Sequence, residues 1–233
     1  MYLSRMFLNP QRRGTRKLLA SPEAMHAAVL SAFPPNSELV SEAGRVLWRV
    51  DREGHSLALY VVSPEKPSFE HLQQQAGWEN QESWAIRDYG PVLDGISVGK
   101  RFRFRLAANP VKSVHNPQTG KSKRLAHVTA AQQRSWLLDR ADVMGVRLLP
   151  ADFSRTVSDD ANNEDLAVSV TGREVMKFRR NGRMITIARA QFDGIVEVTD
   201  ADKFRQILTH GIGKAKGYGC GLLTVAPMSS NRN

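Results

Sequence analysis

Along the chain the spacing of apolar residues switches between a period of two and one near 3.6, and turn residues mark each switch. Residues 2–8 alternate as a short strand, Asn9-Pro10 ends it, and a basic loop is expected over 11–17. A helix is predicted next, with Ser21 as N-cap, Pro22 at the first helical position and Glu23 as an acid in the first turn. Met25, Ala28, Val29, Ala32 and Phe33 form its apolar stripe, and Pro34-Pro35 stops it. Strands over 45–51 and 56–63 are predicted to pair around Glu53-Gly54, followed by a short helical piece near 69–75 and a closing strand at 83–87. The order β-α-β-β-α-β is that of a ferredoxin-like unit.

The second half repeats the plan. Residues 100–108 alternate basic and apolar side chains, end at Asn109-Pro110 and lead into an expected basic loop over 112–124. A helix is predicted from Thr129 to about Val143, then a long hairpin of 166–180 and 183–198 closed by Asn181-Gly182, a pair suited to the positive φ of a type I′ turn. Thr199 or Asp200 caps a helix bearing Phe204, Ile207 and Leu208, and 217–226 is expected to supply the last strand. The fold class is therefore α+β, with two tandem ferredoxin-like (RRM-like) units at 1–92 and 97–227 and a tail at 228–233. The acidic segment 152–165 reads as a solvated loop.

Charge sharpens this picture. Lys and Arg number 33 against 23 Asp and Glu, a net +10 with a pI near 10.1, so a polyanionic partner is the leading expectation and a merely basic protein the alternative. Cys220 is the lone cysteine, which excludes an internal disulfide and a thiolate cluster and fits a reducing, cytoplasmic setting. Neither a signal-peptide pattern nor a run of about 18 apolar residues is found, so secretion and membrane association are not expected.

Three basic features can carry chemistry. Residues 211–221, GIGKAKGYGCG, hold five of the 17 glycines; the bare backbone at Gly211, Gly213, Gly217 and Gly219, with Lys214 and Lys216, can cradle phosphates. It is no Walker loop, because Ala215 follows Lys214, and no dinucleotide fingerprint, because a helix precedes it. Arg101, Arg103 and Arg105 share one strand face, with Lys112, Lys121, Lys123 and Arg124 just beyond. Lys177, Arg179, Arg180 and Arg183 cluster at the hairpin tip, where guanidiniums can meet phosphate oxygens. The six histidines show no metal-ligand spacing and no cofactor motif is present, so no metal or cofactor is expected. Among them His26 stands out: it lies in the first turns of a capped helix, three residues after Glu23, and titrates near neutrality.

The opening Met1 to Arg5, Met25-His26 within a helix ending Ala32-Phe33-Pro34, the strand FRFRLAANP at 102–110 and the ending GIGKAKGYGCGLLTVAP at 211–227 together resemble the CRISPR RNA-processing endoribonucleases of the type I-E Cascade complex, the CasE family. The resemblance spans nearly the whole chain. It implies two ferredoxin-like units and binding of the repeat hairpin of CRISPR precursor RNA. It also implies metal-independent cleavage at the 3′ base to leave a 2′,3′-cyclic phosphate, then retention of the crRNA with other Cascade subunits. The family's catalytic histidine falls on His26. The family pattern has a tyrosine three residues earlier, where this chain has Glu23. An ionised Glu23 would repel the scissile phosphate or, alternatively, orient His26 and raise its pKa. A catalytically weak or inactive crRNA-binding subunit is the alternative reading.

Overall fold

The computed structural model describes residues 1–116, 118, 120–150, 166–180 and 182–228. The acidic segment 152–165, Asn181 of the expected turn and residues 229–233 lie outside them, as do the side chains of Lys121, Lys123 and Arg183. β1 (Tyr2–Leu8) leads through two successive helices, α1 (Arg13–Ala20) and α2 (Pro22–Leu30), and a small ribbon, β2 (Val40–Ser41) with β3 (Gly44–Arg45). The hairpin β4 (Leu47–Glu53) and β5 (Ser56–Ser63) follows, then α3 (Glu70–Ala76) and β6 (Trp84–Asp88). The sheet order is β4-β5-β1-β6, antiparallel throughout, with the first strand inside: the ferredoxin-like arrangement. Period two sets the faces of β1, burying Ser4, Met6 and Leu8 while Arg5 and Phe7 are exposed.

The basic loop expected over 11–17 is mostly helix. Thr15 Oγ1 donates to the Ala76 carbonyl at 3.1 Å and Leu18 is buried, while Arg13, Arg16 and Lys17 face solvent. Gly14 makes the approach feasible, because a Cβ there would lie 2.1 Å from the Gln75 carbonyl oxygen. The basic residues thus belong to the outer face of an amphipathic helix. α2 begins as expected, with Ser21 Oγ accepting from the Ala24 N–H at 3.2 Å.

In the second half α4 (Gly90–Asp94) precedes β7 (Arg101–Ala108), and β8 (Val111–Asn116) pairs with β9 (Lys121–Ala126). The basic loop expected over 112–124 is therefore a hairpin, its alternation hidden in the sequence by the density of Lys and Arg. The helix expected to run to Val143 is two pieces, α5 (Ala130–Leu138) and α6 (Ala141–Met144), and the left-handed Gly145 (φ 69°) turns the chain into β10 (Val146–Leu148). β11 (Val168–Arg180), β12 (Arg183–Val198), α7 (Ala201–His210), a 3-10 turn (Lys216–Tyr218) and β13 (Leu223–Pro227) complete the order. The last strand starts later than 217, because the glycine-rich run is occupied by that turn. The sheet reads β10-β12-β7-β13, and β11 continues the β10 position along β12. The ferredoxin-like order recurs with its second strand split.

The two sheets are joined by a buried cation. Arg49 of β4 is 1 % exposed; its Nη1 donates to the carbonyls of Arg105 (2.8 Å) and Leu222 (3.1 Å), and its Nη2 to Thr224 Oγ1 (2.8 Å). Asp51 takes the remaining N–H groups in a two-pronged pair at 2.6 and 2.9 Å. Leu47, Val62 and Tyr89 of the first half, with Ile96 of the connection, share one apolar core with the second. Arg49→Met removes the cation, taking from buried Asp51 its two-pronged partner and from two carbonyls a donor; the expected loss is about 3 kcal/mol, read from urea unfolding.

Candidate active site and nucleic-acid interface

His26 lies midway along α2, half-buried, where that helix meets β4 and the glycine-rich run. Trp48 Nε1 donates to His26 Nδ1 at 3.3 Å. On the other side Gly217 comes so near that a Cβ on it would stand 3.3 Å from His26 Nε2. The ring is therefore held between an indole and bare backbone. Burial, then the positive charges of Arg180 and Arg45, hold its pKa below the ordinary 6.5. This overturns the option that Glu23 raises it: Glu23 is exposed and makes no hydrogen bond or ion pair among the described residues.

The glycine run closes the site. Gly213, Gly219 and Gly221 have positive φ, and Ala215 (φ 67°) does so without glycine's freedom. A Cβ at Gly219 would lie 2.7 Å from the Trp48 ring, so this backbone is pressed against the indole. Lys216 is partly buried here, and its pKa is lowered by burial, Arg45 and Lys214. Tyr218 Oη accepts from Arg180 Nη1 at 2.6 Å and its ring contacts Phe178 with centroids 4.9 Å apart, tying the hairpin end to the loop. The structure thus gathers His26, Arg45, Trp48, Arg180, Lys214, Lys216, Gly217 and Tyr218, of which Arg45, Trp48 and Tyr218 were not singled out by the sequence pattern. A cleft of about 40 Å³ beside them is lined in part by Met25, Trp48 and Tyr218.

The other basic residues divide. Arg105 pairs with Asp193 at 2.6 Å and with Asp51 at 3.6 Å, and Arg101 pairs with Glu197 at 2.8 Å. Acids on β12 thus meet two of the three strand arginines, and Arg103 alone of them is exposed with no ion pair among the described residues. Lys112 and Arg124 are exposed on the β8–β9 hairpin, and Lys177 and Arg179 on β11. Gly211 is buried against Leu47, a packing role rather than an exposed cradle. Buried Cys220 has its thiol pushed up to about 12, and among the described residues no group of three or more His, Cys, Asp or Glu can hold a metal ion. No helix among them is long and apolar enough to cross a membrane.

The chain is thus a pair of ferredoxin-like units with a histidine set between cations and a glycine-rich loop. The family model described as CRISPR associated protein matches residues 1–227. The CRISPR-associated endoribonuclease Cse3 of Thermus thermophilus is 30% identical over 235 residues, covering 97% of this chain and 100% of that protein. The Cascade subunit CasE of Escherichia coli is 29% identical over 140 residues, 57% of this chain and 61% of its own length. The structure of Thermus thermophilus Cse3 bound to an RNA representing a pre-cleavage complex superposes with a TM-score of 0.74 at 28% identity, covering 97% of this chain and 98% of that one. The chain belongs to the CRISPR-associated protein family, as an endoribonuclease of the Cse3 and CasE kind.

The depressed His26 pKa has a sign. The folded state favours the neutral ring, so its contribution to stability is present above pH 6.5 and is lost as pH falls from there through the lower folded value. Melting temperature should fall over that acidic window, and His26→Gln should flatten the fall.

Proposed function

We propose that the chain binds the repeat stem-loop of CRISPR precursor RNA and cuts once at the 3′ base of the hairpin. The 2′-oxygen before the cut bonds to phosphorus, the bond to the next nucleotide's 5′-oxygen breaks, and the proton lost from the 2′-hydroxyl is balanced by one gained at the 5′-oxygen. The products are a 2′,3′-cyclic phosphate and a 5′-hydroxyl. The nucleophile belongs to the RNA, so no metal-activated water is required.

One observation carries this reading: His26, neutral-leaning and partly exposed, is enclosed by Arg180, Arg45 and Lys216 at the rim of the glycine loop. His26 is the principal acid or base, and Arg180, Lys214 and Lys216 stabilise the charge that builds on the phosphate. Lys112, Arg124, Lys177 and Arg179, with Lys121, Lys123 and Arg183, hold the RNA backbone, while Arg103 is the strand arginine best placed to join them. The units at 1–92 and 97–227 act as catalytic and gripping halves. The product stays bound among other Cascade subunits in the cytoplasm, and the Cascade membership of CasE supports those partners. Glu23 favours a second reading, because an exposed carboxylate one helical turn before His26 repels a phosphate: a catalytically weak or inactive crRNA-binding subunit.

A repeat hairpin with deoxyribose before the cut should bind normally and remain whole, and cleavage of that substrate would refute the chemistry. His26→Ala should lower single-turnover cleavage about 10²- to 10⁴-fold with little change in affinity. Tight binding without cleavage by the wild type establishes the second reading. Lys177→Ala and Arg179→Ala should each weaken binding without changing the cut site, lowering the salt slope of log K by about one if the side chain meets a phosphate.

A further inference from the structure

An indole Nε1 has a hydrogen to give and no lone pair to accept with. The 3.3 Å contact from Trp48 Nε1 to His26 Nδ1 therefore has one direction, and Nδ1 must be unprotonated for it to exist. The indole has little freedom to turn away: Trp48 is 4 % exposed, in the core formed with Met25 and Val29, and Gly219 presses on the far edge of its ring. We infer that Trp48 sets the tautomer of His26, placing the ring proton on Nε2, so that His26 presents a neutral N–H donor to the reacting oxygens.

This deepens the proposed function and rests on His26 being the reactive group. A proton added to Nδ1 would bring two N–H groups face to face and lose the bond, so the imidazolium carries a cost that the neutral ring does not. The charged neighbours act in the same sense: Arg180 from β11 and Arg45 from β3 lower the pKa of the ring, while in the glycine loop Lys216 is crowded by Arg45 and Lys214. Tyr218 spends its hydroxyl oxygen on Arg180, and Glu23 on the same helix is exposed and unpaired with the ring. A neutral imidazole N–H suits an oxygen that gains negative charge without needing a prior positive charge, and triosephosphate isomerase uses a histidine in this way. Within the reaction neutral His26 donates its Nε2 hydrogen as a hydrogen bond to the phosphate oxygens, and the proton that leaves the 2′-hydroxyl passes by way of a phosphate oxygen to the departing 5′-oxygen, which narrows the acid-or-base role proposed above to that of a donor. Trp48 itself touches no substrate in this scheme and is a positioning residue.

Side-chain ¹⁵N spectra of the histidine-labelled protein, with His26 assigned by comparison with His26→Ala, test the inference directly. The expected spectrum at neutral pH has Nε2 protonated and Nδ1 unprotonated, its resonance displaced by an accepted hydrogen bond. A proton on Nδ1, or an Nδ1 resonance at its unbonded position, overturns the inference. In Trp48→Phe the displacement should vanish, the protonated fraction of His26 at a given acidic pH should rise about threefold, and the acid limb of the cleavage rate should move to higher pH. An unchanged titration in a folded Trp48→Phe overturns it equally. If Trp48→Phe does not fold, the wild-type spectrum decides alone. If His26→Ala cleaves like the wild type, the assignment of the active site fails while the spectrum still decides the tautomer.

Discussion

The buried guanidinium of Arg49 holds the molecule in one piece. A charge taken out of water must be matched by hydrogen bonds and an opposite charge, and Arg49 finds Asp51 on its own strand but its remaining hydrogen-bond partners on β7, on β13 and just before β13. The geometry admits one relation between the sheets. Because side chains alternate along β4, Trp48 points to the face opposite its neighbour Arg49 and reaches α2, where it meets His26. The same strand therefore docks the halves through one face and holds His26 through the other. Leu222 and Thr224, which Arg49 grips, follow directly on the glycine-rich run, so the clamp also fixes the wall that faces His26.

That wall works by close approach more than by exposed amides. Gly211 and Gly219 allow backbone to rest on Leu47 and Trp48, and the turn at Lys216–Tyr218 then carries Gly217 to the imidazole and Tyr218 to Arg180. The positive φ at Ala215 is strain held in place by this packing, at the edge of the site. The loop that looks in sequence like a phosphate cradle is also a spacer of low bulk, which lets first-half and second-half residues share one small volume.

Features set by neighbouring residues were legible in the sequence. Ser21-Pro22-Glu23 marks the start of α2, the alternation in 102–108 marks β7, and the spacing of His26 from that cap puts it near the helix surface. Features set by distant residues were not. Nothing near Arg105 announces Asp193, 88 residues away, and nothing near Arg49 announces the carbonyl of Leu222. Helix α1 and the β8–β9 hairpin were missed for another reason: dense Lys and Arg mask the few apolar positions, Leu18 among them, that decide the local structure. The partner of His26 was hidden as well, because Trp48 reads as an ordinary core residue of a strand until the fold brings its nitrogen to the ring.

The central claim is that this chain cuts RNA with the RNA's own 2′-hydroxyl, aided by His26. It is tested most directly by incubating the cognate repeat hairpin with wild-type protein in excess EDTA and analysing the ends of the fragments. The account predicts undiminished cleavage, with a 2′,3′-cyclic phosphate on one fragment and a 5′-hydroxyl on the other. Cleavage abolished by EDTA, or fragments bearing a 5′-phosphate, would contradict it.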